Sequence, residues 1–230
     1  MSNSLSSETL NDLRKYGGEA LVSIVKALLG DTSAIVDVMK DIKNAPFFIP
    51  NSVFMLKYER LLNGIYTDSS DKIKISNQLF GEDYKSRIDN AFRVINIINK
   101  IDTVTKIDYL LNANRAFCNG VITREQLFRI ANALANSLSE DIEYLRSNAT
   151  CEVLKGNANV HSLVNIGAVI LAGINSDADV EKQTYVITDF GRLLDQYALS
   201  VMDDERQKYY RERTKKHHAF DTGIEAITSE

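Results

Sequence analysis

The sequence predicts a mainly α chain: a multi-helix bundle followed by a small C-terminal β-hairpin unit. Three observations predict it. The two prolines, Pro46 and Pro50, sit together in "NAPFFIPNS", so everything after residue 51 is free of this helix breaker. Apolar residues recur at helical spacing over long stretches, as in Leu127, Ile130 and Leu134. After residue 148 the texture changes to two short apolar runs, 168–174 and 184–187, on either side of the polar "NSDADVEKQ".

Taken in order, a Ser- and Asn-rich start precedes helices expected over 8–15, 18–29, 32–43 and 51–65. In the second, Leu21, Ile24, Val25 and Leu28 form an apolar stripe. Residues 66–84 are polar and punctuated by "TDSSD" and "GED", which fits a loop or small irregular lobe with "DKIKISNQLF" as a short strand. A helix over 85–100 carries Ile88, Phe92, Ile95 and Ile98, widened by Val94 and Ile97. A stripe that broad implies neighbours on two sides, as in the centre of a bundle.

In "DTVTKIDYLLNANRAFCNG", Asp102 is the expected cap and Gly120 the left-handed stop. Val104, Ile107, Leu111 and Cys118 share a face, Leu110 and Phe117 widen it, and Asn114 interrupts it. "ITREQL" then offers a capping box, with Thr123 as cap and Gln126 reaching back, while Ile122 and Leu127 form a hydrophobic staple. The following helix is expected to carry Leu127, Ile130, Leu134, Leu138, Ile142 and Leu145 on one face. A final helix from Asp189 carries Phe190, Leu193, Leu194, Tyr197, Ala198 and Val201 and continues into a charged, solvated stretch. The resulting division is a helical domain at 1–148, a hairpin unit at 149–204 and a charged helix or tail at 205–230.

Apolar (44%) and charged (25%) fractions are those of an ordinary globular protein, and the net charge of −4 lacks the basic excess of a non-specific nucleic-acid binder. Cys118 and Cys151 have no CxxC spacing and read as reduced thiols of a cytoplasmic protein. No secretory signal opens the sequence. The longest apolar stretch, "ALVSIVKALLG", contains Lys26 and is about half the length a bilayer span needs, so no transmembrane segment is expected.

Catalytic chemistry has little to stand on. His161 lies in an apolar helix, and His217 and His218 are adjacent in a basic tail whose cations oppose metal binding. GxSxG, HExxH, Walker A and GxGxxG patterns are absent from the sequence. The pairs Asp177/Asp179 and Asp203/Asp204 lack the further oxygen ligands of an EF-hand loop. The expectation is a non-enzymatic protein with neither cofactor nor metal.

The order "LVNIGAVILAG…TYVITDFGRLL" resembles the wing of winged-helix regulators of the MarR and PadR type. In those a helix ends at a glycine, a strand enters the wing, and the returning strand ends in a Tyr-x-Leu/Ile-Thr-x-x-Gly turn. The resemblance implies that Gly167 ends a helix and that Tyr185, Ile187, Thr188 and Gly191 form the turn. Thr188 as N-cap satisfies an orphan amide, and Gly191 permits close approach of the neighbouring strand. The whole plan also resembles uncharacterised helical proteins of prophages and mobile elements, which implies a setting in phage–host conflict.

Electrostatics oppose a DNA-reading wing. Between residues 150 and 200 the basic residues are Lys155, Lys182 and Arg192, against Glu152, Asp177, Asp179, Glu181, Asp189 and Asp195. Basic residues gather instead in "RQKYYRERTKKHH", where Arg206, Lys208, Arg211, Arg213, Lys215 and Lys216 could meet nucleic acid or an anionic surface. A solvated terminal helix, its cations favoured by the helix dipole, explains the same pattern. The leading expectation is a protein that binds another protein or itself, the long final helix pairing between subunits. The alternatives are a winged-helix regulator using the terminal basic helix, and a membrane-associated effector that inserts residues 18–48 at the interface.

Overall fold

A computed structural model describes residues 21–31, 33–34, 52–66, 72–173 and 183–213, with the single positions 11 and 14. The chain divides into two compact units, Met1–Asn136 and Ser137–Glu230. The expected helices at 8–15 and 32–43, the hairpin tip, and Lys215, Lys216, His217 and His218 lie outside or almost outside the described residues.

The first unit is helical: α1 (residues 21–28), α2 (Ser52–Tyr66), α3 (Lys72–Phe80), α4 (Tyr84–Lys100), α5 (Val104–Cys118) and α6 (Arg124–Ala135). Helix α2 packs on α5, and α6 packs on both α4 and α5. Their shared core includes Phe54, Tyr58, Phe80, Ile98, Ile107 and Ile130. Gly64 brings α2 close to α5, because a Cβ there would lie 2.4 Å from the Leu111 side chain. The broad stripe of α4 is buried on two sides as expected, with Val94, Ile95, Ile97 and Ile98 all covered.

Helix α1 is sunk in this unit, with Leu21, Ile24, Val25 and Leu28 at most 3% exposed. The backbone beyond it closes onto the Val25, Lys26 and Ala27 carbonyls, leaving those of Leu28 and Leu29 to side chains. Tyr58 Oη donates to Ile24 O at 2.6 Å, Tyr66 Oη to Leu28 O, and Ser76 Oγ to Leu29 O at 2.8 Å. Arg87, itself buried, donates to Leu29 O, Ser76 Oγ, Gly81 O and Asn77 Oδ1. The apolar stripe of α1 is thus consumed by the fold, and an interfacial role for it would require opening the unit.

Three local expectations differ from the structure. The strand expected within residues 71–80 is the helix α3, because burial follows Ser76, Leu79 and Phe80 at helical spacing rather than the Lys-Ile alternation. Asp102 does not cap α5; the cap position is Thr103, and Asp102 pairs with the buried Lys106 at 2.9 Å. The long stripe from Leu127 to Leu145 is two helices. Asn136 donates back to Asn132 O, Leu138 is the exposed N-cap of the next helix, and Asp141 accepts from the Leu138 amide. The two compact units meet between Asn136 and Ser137, so α7 belongs to the second.

Elsewhere α5 ends as expected. Gly120 has φ +71°, and the Val121 amide donates to Ala116 O. The Thr123–Gln126 capping box forms in both directions, at 2.8 and 3.2 Å.

The second unit contains α7 (Ser139–Asn148), β1 (Leu154–Lys155), α8 (Ala158–Asn165), β2 (Val169–Gly173), β3 (Thr184–Ile187) and α9 (Asp189–Leu194). A π-turn over Asp195–Leu199 follows, then α10 (residues 204–213). The sheet is antiparallel with order β1-β3-β2. Leu154 sits opposite Tyr185, and Val169 opposite Ile187. The two expected strands are joined by β1, whose two residues are too few to carry a periodic signal. Tyr185 and Ile187 point into the core with Leu145, Val160, Leu163 and Phe190, while Ile170 and Thr184 face outward.

Candidate interaction site

The strand-to-helix corner organises the second unit. Gly167 adopts φ +75° and closes α8, its amide donating to Val164 O at 2.9 Å. Thr188 caps α9 by accepting from the Gly191 amide at 3.0 Å, and its hydroxyl donates to Gly167 O at 2.7 Å. The Thr188 amide donates to Ala168 O at 3.0 Å, locking α9 to the start of β2. A Cβ on Gly191 would lie 2.2 Å from that same Ala168 carbonyl, so the backbones meet where only glycine fits. Tyr185 is buried, donates to Gln183 Oε1 at 3.0 Å and rests edge-on against the exposed His161 ring.

Beyond the corner the final helix does not run on as expected. At Asp195 it widens into the π-turn, the Ser200 amide bonding to Asp195 O. The Asp195 carboxylate is fully buried. It accepts from Ser200 Oγ and Tyr210 Oη, each at 2.7 Å, and lies 3.5 Å from the Arg206 guanidinium. Burial raises the Asp195 pKa above the ordinary carboxylate value, against the lowering effect of Ser200, Tyr210 and Arg206. Burial and the Asp195 charge push the Tyr210 phenol up.

Helix α10 starts afresh at Asp203, whose side chain accepts from the Arg206 amide at 3.0 Å. It is docked rather than solvated: Tyr210 is buried, and Arg206 reaches Arg146 O at 2.9 Å. Of the basic set, Arg206 is engaged inside the unit, Lys208 and Arg211 are exposed, and Arg213 is half-buried.

Arg213 lines an open cleft of about 370 Å³ together with Asp189, Arg192, Leu193 and Tyr197. Arg192 is oriented by a bond from Nη1 to Ile187 O, and burial raises the Tyr197 pKa. Neither Arg192 nor Arg213 has an ion-pair partner among the described residues. In the sequence Arg192 is one of three cations against six acids over residues 150–200; its approach to Arg213 depends on the π-turn and the break at 200–203, which no periodicity signals.

On the sheet, β2 pairs with β3 alone among the described residues, leaving its other side as an edge. Ile170, opposite Val186 on the outward face, is 56% exposed. Val164 at the end of α8 is also exposed.

A helix-turn-helix joins its two helices by a three- or four-residue turn. Here α7 and α8 are separated by residues 149–157, which include β1, and α8 is the single helix between β1 and β2. Helix α8 carries no Arg or Lys. Both cysteines are free thiols, Cys118 half-buried and Cys151 exposed. Among the described residues no group of three or more His, Cys, Asp or Glu side chains could hold a metal, and no helix is long and apolar enough to cross a membrane. Comparison with protein-family models, curated proteins and solved structures found no significant match to the chain.

Proposed function

We propose that the chain is a non-enzymatic protein-interaction module, and that its second unit makes the contact. The observation carrying this reading is the apolar edge of the sheet, where Ile170 is 56% exposed on a strand paired on one side among the described residues. Unpaired strand edges template pairing with another chain, and native proteins usually blunt them with charge or proline. Residues Val169–Gly173 carry neither. The partner is a second protein or a second copy of this chain, and the resemblance to prophage and mobile-element proteins suggests a setting in phage–host conflict.

The test is light scattering coupled to size exclusion, alongside pull-downs from the host, for the wild type and Ile170→Asp. The wild type is expected to exceed its 25.8 kDa monomer mass or to retain a partner, and the variant to lose that association. A wild type that stays monomeric at micromolar concentration and retains nothing overturns the proposal.

DNA regulation is the weaker reading, because α8 offers no cation for phosphates and Arg206 is tied to Asp195.

A further inference from the structure

We propose that the cleft between α9 and α10 binds acidic side chains of an extended segment in a protein partner. This rests on the reading of the chain as an interaction module and names the chemistry its partner brings.

Arg192 and Arg213 come from different helices and converge on one cleft of about 370 Å³. Both lack an ion-pair partner among the described residues, whereas Arg60 and Arg206, also set among acids, are paired with Asp108 and Asp195. Arg192 is held at one end by Ile187 O, so its guanidinium is presented in a fixed orientation. Guanidinium groups recognise carboxylates through paired, charge-assisted hydrogen bonds, and pre-orientation reduces the entropy lost on binding. Leu193 and Tyr197 supply an apolar wall against which peptide methylenes can lie.

The charge balance favours carboxylates over a phosphate backbone. Asp189 stands on the same cleft and opposes dense negative charge. Affinity for nucleic acid grows with the number of phosphates neutralised, and two cations facing one acid supply few. Lys208 and Arg211 are exposed on α10 but do not line the cleft.

The experiment is fluorescence anisotropy at low salt with the full chain and a fluorescein-labelled Glu/Asp-rich octapeptide. Its Gln/Asn isostere and a short duplex DNA serve as competitors. The acidic peptide is expected to bind, and the isostere to bind at least tenfold more weakly. Arg213→Gln and Arg192→Gln should each weaken peptide binding about tenfold. Lys208→Gln should leave it within twofold, with circular dichroism confirming that each variant is folded. Absence of peptide binding, equal binding of the isostere, or displacement of the peptide by equimolar duplex would each overturn the proposal. Because the isostere comparison uses the wild type, a misfolded variant does not blunt the test. If Ile170→Asp abolishes association while the acidic peptide never binds, this inference fails and the interaction reading stands. If the peptide binds but the wild type is monomeric and retains no partner, the interaction reading fails instead.

Discussion

Replacing Gly191 by alanine sets helix propensity against close packing. Propensity alone predicts a gain of up to about 1 kcal/mol, because Gly191 lies inside α9. The structure predicts the opposite. A Cβ at this position would sit 2.2 Å from Ala168 O and 2.8 Å from Ile187 Cγ2, about 1 Å short of an ordinary carbon–oxygen contact. Ala168 cannot easily retreat, since its amide donates to Leu163 O and its carbonyl accepts from the Thr188 amide. Moving α9 away by the missing distance would break the Thr188–Ala168 bond and strain the Thr188–Gly167 bond.

Two bonds at about 0.5–1.5 kcal/mol each, plus overpacking strain of about 1–3 kcal/mol, less a propensity gain of about 1 kcal/mol, leave a net loss of about 1–5 kcal/mol, centred near 3 kcal/mol. For a unit of this size the transition should fall by on the order of 10 °C or more. Calorimetry gives the shift, and hydrogen exchange read on peptides of the second unit shows where protection is lost. Gly64→Ala is the contrast, because the obstructing atoms belong to the buried Leu111 side chain rather than to backbone; overpacking of about 1–3 kcal/mol, offset by a propensity gain of up to about 1 kcal/mol, leaves a loss of about 0–2 kcal/mol. A raised transition temperature for Gly191→Ala would refute the close-approach account.

Further outcomes follow from the buried polar groups. Asp195→Ala strands the Tyr210 and Ser200 hydroxyls and the Arg206 charge, and should cost about 3 kcal/mol or more by urea denaturation. Because burial holds the folded pKa of Asp195 above its unfolded value, its contribution to stability is full below the ordinary carboxylate range and is lost as pH rises through the raised value. The wild type should therefore lose stability relative to Asp195→Asn as pH rises above the ordinary carboxylate range; parallel curves would count against the burial effect. Arg87→Leu removes the donors to Leu29 O and Gly81 O and should destabilise the first unit by about 3 kcal/mol, with Arg87→Lys intermediate by the same denaturation assay. Thr123→Ala dismantles the capping box and should cost about 1 kcal/mol, with faster exchange in the first turn of α6.

Local signals are legible in the sequence where one residue type answers one backbone need. Thr123, Gly120, Thr188 and Gly191 each stand where an orphan amide, a left-handed turn or a close approach calls for them. Periodicity succeeded for α4 and failed where two helices share one phase, since Leu134, Ile142 and Leu145 are buried on both sides of the break at residues 136–138. The alternating "KIKI" imitates a strand because the side chains that decide α3, at 76, 79 and 80, come after it. For the cleft, Arg213 is legible as part of a basic run, while the acids around Arg192 mask it. Their convergence depends on how the chain turns between residues 195 and 203, and no residue there announces a π-turn.

The dependence of α1 on its partners has a consequence for synthesis. Side chains from α2, α3 and α4 complete the C-terminal end of α1. The last of them, Arg87, lies 58 residues downstream of Leu29. At translation rates of about 5–20 residues per second, roughly 3–12 s pass before that residue is made. During that interval the apolar segment around Val25 is made while the donors that complete its C-terminal end in the folded unit do not yet exist.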